Sequence, residues 1–177
     1  TPIHTRAHPL GALFVLRAGW SVADSFNDLE TELTAMRQDI AVVDESANGK
    51  IVVEGSVAES IVHTTFSTPG IKVGAGASTR HGYVYRLRSD LYYLDTPPGM
   101  EMDTLRALTS TARSERGPVS ITDITHGRTE LRVIGPASSE LLSRLCGIDF
   151  HSTAFHNLTA RQTSAAKTVQ LIIRRDV

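Results

Sequence analysis

Two segments with the two-residue period of a β-strand, separated only by a short turn, constrain this chain most strongly. Hydropathy alternates along HGYVYRLRS, and LYYLDT follows directly after Ser89-Asp90. Such a short connection permits only an antiparallel hairpin, and we predict a second hairpin between residues 119 and 134. Because helical segments are interspersed with these strand pairs, we expect an α+β fold with antiparallel sheets and packed helices.

The other elements are predicted from helical periodicity, caps and turns. A helix is expected to begin at Ser25, which has capping-box spacing with Asp28, and a second such box predicts a helix from about residue 56 to about residue 65. Asn48-Gly49 is suited to a turn with positive φ before the strand KIVVEG. Residues 1–23 are expected to be extended and rich in loops. We further predict helices at 105–112 and after Gly135-Pro136, and a last strand at 169–173.

Length, charge and cysteine usage exclude several classes of protein. The 177 residues suffice for a single unit, which can consist of two interlocked lobes, one formed by about residues 50–117 and the other by the flanking segments. A formal charge of −1 supplies no cationic field for a nucleic acid backbone. The single Cys146 excludes an internal disulfide, and no apolar run approaches the roughly 20 residues that cross a bilayer. We therefore predict a soluble, cytoplasmic protein that binds neither nucleic acid nor membrane.

Two pairs of side chains have the spacing of a reactive or metal-binding site. His4 and His8 are four residues apart, as zinc ligands on one helix face are, but neighbouring prolines oppose a helix there. Cys146 and His151 could form a thiolate and its base, but the cysteine lies on the apolar side of a leucine-rich helix end. A structural role is favoured for both pairs, and no metal site is predicted.

Three further patterns have a ligand-binding and a structural interpretation. The glycines of TPGIKVGAGAS can form an anion-binding nest or a flexible turn, and the turn is favoured. Trp20 and Tyr83 can stack on a flat ligand, although core packing is the commoner role of aromatic residues. Arg174-Arg175 can bind a carboxylate, but we expect these charges to face solvent at the end of a strand.

A succession of short motifs runs through residues 1–145 in a definite order. The motifs are Thr1-Pro2-Ile3-His4, His8, Leu10-Gly11-Ala12, Phe14 and Gly19-Trp20, then Asp44-x-Ser46 and Gly49-Lys50-Ile51, and finally Val84-Tyr85-Arg86-Leu87, Asp123-x-Thr125 and Gly135-Pro136-Ala137. In order and spacing they resemble the glycine-cleavage T-protein family of aminomethyltransferases. The opening block is the most specific of them.

The resemblance implies a compact folate-binding unit in which tetrahydrofolate accepts a one-carbon unit from an amine. The family has an Asp-Asp pair shortly before the strand matched by VYRL, and its carboxylate orients the folate and manages protons. Here Arg80 and His81 stand at those positions, and because arginine cannot deprotonate, only His81 is a candidate substitute. By the same resemblance Asn48, Arg80, His81 and Tyr83 are predicted to line the cofactor site.

The chain is shorter than the family pattern, and its later segments resemble a second protein. IDFHSTAF and LIIRRD are similar to the small gamma subunit of heterotetrameric sarcosine oxidase. The resemblance therefore implies a unit without the family's C-terminal domain, acting on a small-molecule amine together with a larger protein partner. Two alternatives stay open, namely a self-sufficient folate-dependent methyltransferase that uses His81 and a non-catalytic assembly module that has lost folate. Whether the chain is itself an enzyme is left open.

Overall fold

Eleven strands and five helices make up the protein in a computed structural model that describes residues 1–26 and 28–176. The strands are β1 (Leu13–Arg17), β2 (Trp20–Ser25), β3 (Ala41–Asp44), β4 (Gly49–Gly55), β5 (Gly76–Thr79), β6 (Gly82–Arg88), β7 (Leu91–Thr96), β8 (Val119–Asp123), β9 (Leu131–Ile134), β10 (Ala160–Ala165) and β11 (Thr168–Ile173). The helices are α1 (His4–Ala7), α2 (Leu29–Gln38), α3 (Ala58–Phe66), α4 (Glu101–Ala112) and α5 (Ser138–Ser143), with 3-10 turns at His8–Leu10 and Thr125–Gly127.

A five-stranded antiparallel sheet with the order β5-β6-β7-β4-β8 positions the rest of the molecule. The predicted hairpin of β6 and β7 is confirmed, as is the α+β class. The second predicted hairpin is wrong, because β8 pairs with β4 and β9 pairs with β3. Thr125–Gly127 forms a 3-10 turn after β8, and the Thr125 hydroxyl accepts a hydrogen bond from the Lys50 amide. This contact fixes the turn on β4 and directs β9 to a different sheet.

One face of the five-stranded sheet is covered by α3 and α4. The apolar core between them contains fully buried residues that alternate along the strands with residues of the opposite face. These residues are Ile51 and Val53 of β4, Val84 of β6, Tyr92 and Leu94 of β7, and Ile61, Val62 and Leu108 of the two helices. Because successive side chains of a strand point to opposite faces, the residues between these core positions lie on the second face of the sheet.

The second face is covered by the β10–β11 hairpin and the segment after it. Leu171 and Ile173 of β11 pack with Ala160 against Tyr85 and Tyr93 of the sheet. The hairpin is joined to the sheet by a hydrogen bond from the Ala160 amide to the Gly74 carbonyl at 2.9 Å. A second polar and aromatic layer is thus enclosed between the sheet and the hairpin.

The starts of two helices differ from the predictions. Asp28, and not Ser25, is the N-cap of α2, where its carboxylate accepts from the amides of Glu30 and Thr31. Ser25 is the last residue of β2, so the helix begins four residues later than predicted. The box proposed at residue 56 is also absent, because α3 begins at Ala58 without a side-chain cap.

Glycine is required at position 49, at the start of β4, because of close packing and not because of a positive φ. A Cβ at Gly49 would lie 2.4 Å from the Thr96 hydroxyl and 2.7 Å from the Glu101 Cβ. The first 23 residues are also more regular than predicted, since they form a single-turn helix and the β1–β2 hairpin. Ala18 and Gly19 both adopt positive φ in that hairpin's turn. In the described residues no helix is long and apolar enough to cross a bilayer.

Candidate functional site

A row of three neighbouring side chains crosses the second face of the central sheet. Lys50 of β4 pairs in register with Asp95 of β7, and Asp95 pairs on its other side with Tyr83 of β6. Lys50 is 1% exposed and Asp95 is 3% exposed. Two charged side chains in adjacent buried strands require specific partners, because an uncompensated charge is expensive to remove from water.

Arg175 reaches this row from the segment after β11. Its guanidinium donates to Asp95 Oδ2, to Glu45 Oε2 at 2.7 Å and to Glu130 Oε1 at 3.3 Å. The guanidinium carbon also lies 5.0 Å from the centre of the Tyr83 ring. One planar cation therefore serves three carboxylates and one aromatic face, an arrangement for which arginine is better shaped than lysine.

The position of Arg175 corrects the expectation that Arg174-Arg175 face solvent. Arg175 continues the alternation of Leu171 and Ile173 toward the sheet, and its side chain is only 15% exposed. The backbone of Arg174 is held by two hydrogen bonds, one to Thr159 at 2.9 Å and one from Leu158 at 2.8 Å. The segment is thereby fixed against the sheet with Arg175 pointing inward.

Lys50 is held by a second group of acceptors beside the row. Its ammonium donates to the carbonyls of Asn48 at 2.8 Å and Ser46 at 3.2 Å, and lies 3.2 Å from Glu130 Oε2. Glu130 thus bridges Lys50 and Arg175. Asn48 adds a long hydrogen bond from its side-chain amide to Glu130 Oε1 at 3.4 Å. The Lys50 ammonium thus makes two hydrogen bonds and one ion pair with protein groups, which hold it in place beside the row.

Three buried polar atoms at the row and its charged partners make no hydrogen bond with the described residues, namely Asp95 Oδ1, the hydroxyl oxygen of Tyr85 and Glu130 Oε2, of which the last has only the ion pair with Lys50. Tyr85 is fully buried and follows Tyr83 on the same face of β6. A buried polar atom without a hydrogen bond costs about 1–3 kcal/mol. Such atoms are few in native proteins, and each of them requires an explanation.

Burial also changes the acidity of Asp95 and Tyr85. Desolvation raises the pKa of Asp95 above the usual aspartate range and the charge of Glu130 adds to this, whereas Arg175 and Lys50 act in the opposite direction. Burial likewise raises the pKa of Tyr85, which therefore remains a neutral phenol. Strongly shifted acidities together with a specific charge partner are characteristic of functional sites.

The structure divides the four predicted cofactor residues between two places. Asn48 and Tyr83 lie at the charged row, whereas Arg80 is exposed. His81 lies toward the helices, with Nδ1 3.1 Å from the Thr104 hydroxyl and its ring 5.4 Å from Phe66. Burial, followed by the charge of Arg80, lowers the pKa of His81. Contact of these residues with a cofactor stays a prediction.

The sequence contained a signal for the residues that were not predicted. Lys50 and Asp95 are charged residues inside the strands KIVVEG and LYYLDT. Because side chains alternate between the two faces of a strand, both of them lie on a face that is covered. Glu130 has no comparable local signal, and the Arg174-Arg175 pair indicated a carboxylate without showing which one, because the contacts of Arg175 with Glu130 and Glu45 join residues 45 and 130 positions apart.

The remaining candidate patterns have structural explanations. His4 and His8 both lie near the Phe14 ring, with centroid distances of 4.0 Å and 6.4 Å. In the described part of the chain no cluster of three or more His, Cys, Asp or Glu residues is arranged to hold a metal ion. Trp20 stacks on His126 at 4.8 Å. The glycine-rich segment is only partly a loop, since Gly76 begins β5.

Comparison with known proteins gives a consistent result. The family model described as "GCVT N-terminal domain" matches residues 3–175. An aminomethyltransferase of Listeria welshimeri is 26% identical over 167 residues, which cover 88% of this chain and 45% of the relative. The alpha subunit of sarcosine oxidase from Rhizobium meliloti is 23% identical over 188 residues, which cover 93% and 19%. The chain thus spans less than half the length of these relatives.

Two solved structures share the fold. Aminomethyltransferase T of the glycine cleavage system from Bartonella henselae superposes with a TM-score of 0.75 at 18% identity, covering 90% of this chain and 46% of the other. A chain of heterotetrameric sarcosine oxidase from Corynebacterium sp. U-96 gives a TM-score of 0.72 at 19% identity, covering 99% and 81%. At these identities the likeness establishes the fold and not the activity.

Proposed function

Because the chain belongs to the GCVT N-terminal domain family, we propose that it is the folate-binding unit of a tetrahydrofolate-dependent one-carbon transfer or amine demethylation system. The observation that carries this proposal is the buried row of Lys50, Asp95 and Tyr83, where Asp95 Oδ1 and the Tyr85 hydroxyl lack partners. Both atoms can accept hydrogen bonds, and the pterin of tetrahydrofolate carries N–H donors. The residues present therefore fit the cofactor.

The chain's own residues would bind and orient the cofactor at the row. Tyr83 offers a ring face and Asp95 offers carboxylate acceptors, and Arg175 contacts both residues in this structure. When bound, tetrahydrofolate supplies the nitrogen atoms that carry the one-carbon unit. A raised pKa lets Asp95 hold or accept a proton near neutral pH, which is the property required of a general acid or base.

The alternative that uses His81 requires a ligand on a different side of the sheet. His81 contacts Thr104 of α4 and Phe66 of α3, on the face that the helices cover. A single cofactor bound at the charged row would have to extend past the start of β6 to contact His81. We therefore favour Asp95 over His81 as the titrating group of the site.

A larger protein partner completes the proposal. The chain matches 45% of the aminomethyltransferase relatives and 81% of a chain taken from a heterotetramer. Leu10, Leu13 and Leu16 of the N-terminal segment are 70%, 59% and 78% exposed, which leaves apolar surface there for a partner to cover. The substrate of the assembled system would be a small amine.

Calorimetric titration of tetrahydrofolate into the purified protein tests the cofactor assignment. We expect saturable binding that Asp95→Asn weakens about tenfold or more, because a hydrogen bond to a carboxylate becomes a weaker one to a neutral amide oxygen. Glu54→Gln is the matched control, since Glu54 is an exposed carboxylate on the same sheet. No binding by the wild-type protein, with a partner still recovered from the native source, would favour the assembly module instead.

A further inference from the structure

The guanidinium of Arg175 is bound in the manner of a ligand. Its edges face the carboxylates of Asp95, Glu45 and Glu130, and its plane lies near the ring of Tyr83. Carboxylates along the edge and an aromatic ring at the side are the contacts that recognise a flat group with several N–H donors. The site is therefore shaped for such a group independently of the residue that now fills it.

Arg175 can leave this position without a change in the backbone. The residues on both sides are fixed, since the Arg174 amide bonds to Thr159 at 2.9 Å and the Asp176 amide bonds to the Asn157 side chain at 2.9 Å. The long side chain of arginine has several rotatable bonds between these anchors and the guanidinium. Rotation of this side chain alone would release the three carboxylates from the guanidinium.

The contacts of Arg175 leave the site incomplete. Asp95 Oδ1 and the Tyr85 hydroxyl remain without partners, although both lie beside the bound guanidinium and its charge acts on Tyr85. A ligand with a wider edge than a guanidinium would satisfy these atoms as well as the carboxylates. The two unpartnered atoms thus favour a larger occupant over Arg175.

We propose that the guanidinium of Arg175 holds the place of a planar ligand edge of the amidine or guanidine type, and that it rotates away when such a ligand binds. The choice of ligand class rests on the proposed function, because the 2-amino-4-oxopyrimidine edge of a folate is a guanidine-like edge. Asp95 then loses its hydrogen bond with Arg175 and makes one with the ligand instead. Arg175 and the ligand compete for the same carboxylates.

Titration with 2-aminopyrimidin-4-one, which is this edge alone, tests the competition directly. In wild-type protein labelled with ¹⁵N-arginine, we expect the side-chain NMR signal of Arg175 to move to the position of a solvated arginine as the probe saturates. Arg175→Lys assigns the signal. Arg175→Met removes the competitor, so the probe should bind about tenfold or more tightly than to the wild-type protein. Glu54→Gln should behave as the wild type in both measurements.

The possible results separate this inference from the proposed function. Probe binding that leaves the Arg175 signal in place, or no probe binding by the wild type, overturns the inference. Tetrahydrofolate binding without movement of Arg175 also overturns it and retains the proposed function. Displacement of Arg175 by the probe in a protein that does not bind tetrahydrofolate supports the inference and refutes the function. If Arg175→Met does not fold, the wild-type NMR titration decides.

Discussion

Asp95 shares a single guanidinium with two other carboxylates, and this explains its acidity at the scale of one residue. Arg175 donates to Asp95, Glu45 and Glu130 together, so its charge is divided among three acceptors. Desolvation then dominates and raises the pKa of Asp95. The native protein consequently binds a proton at Asp95 at pH values where the unfolded chain has already released it.

Asp95→Asn should therefore change how stability depends on pH. Since the native pKa lies above the unfolded one, the native state binds more protons between about pH 4 and pH 7, and the free energy of unfolding falls as pH rises through this window. Asparagine does not titrate, so the variant should lack this decline. Urea denaturation at several pH values measures the difference from the wild type, with Glu54→Gln as the control. Parallel curves for wild type and Asp95→Asn would contradict the assignment.

The turn between β5 and β6 sets where neighbouring side chains lie, at the scale of one element. Gly82 has a φ of 114°, and a Cβ there would lie 2.2 Å from the backbone oxygen of Asp95. This close approach joins the start of β6 to β7 beside the charged row. His81, just before it, turns toward Thr104 and the helices, while Tyr83, just after it, faces the row.

Gly82→Ala should destabilise the protein by about 2 kcal/mol or more, because it adds both a backbone clash and a positive-φ strain. Gly127→Ala is a suitable control, since nothing lies within 4 Å of a Cβ at that position. We expect the control to stay within about 0.5 kcal/mol of the wild type. Thermal unfolding followed by circular dichroism compares the two. Equal losses of stability in the two variants would show that Gly82 is not packed closely against β7.

The charged cluster joins distant segments at the scale of the whole molecule. Arg175 connects the segment after β11 to Glu45 before β4, to Asp95 of β7 and to Glu130 before β9. Arg175→Ala would leave these carboxylates without their shared cation. Removing one partner from a buried charge pair costs about 3–5 kcal/mol.

We expect Arg175→Ala to lose about 3–5 kcal/mol of stability at neutral pH, and to lose less in acid, where Asp95 is protonated. Hydrogen exchange of the β10–β11 amides should become faster, because the contact that holds this hairpin on the sheet is gone. Arg128→Ala, at an exposed arginine, is the control. Unchanged exchange in β10 and β11 would show that the hairpin is held by its apolar contacts alone.

Local patterns predicted the elements but not their assembly. The β6–β7 hairpin and α4 follow from periodicity and a short turn, which act over a few residues. The pairing of β8 with β4 and of β9 with β3 depends on contacts that no local pattern specifies. The site could not be predicted for the same reason, since Arg175 and Glu45 are in contact but lie 130 positions apart in the sequence. A charged residue on a covered strand face, as at Asp95, was the one usable local signal.

The 130-residue separation of Glu45 and Arg175 also determines the order of events during synthesis. The ribosome releases Glu45, Lys50 and Asp95 long before Arg175, so the central sheet can form while its polar row is still hydrated. Long-range contacts are slow to form and close last. Docking of the Arg175 segment therefore follows formation of the sheet and covers the row. A nascent chain stalled before this point would present Glu45 and Asp95 without their arginine, so its site would be open to the ligands for which we propose that Arg175 holds the place.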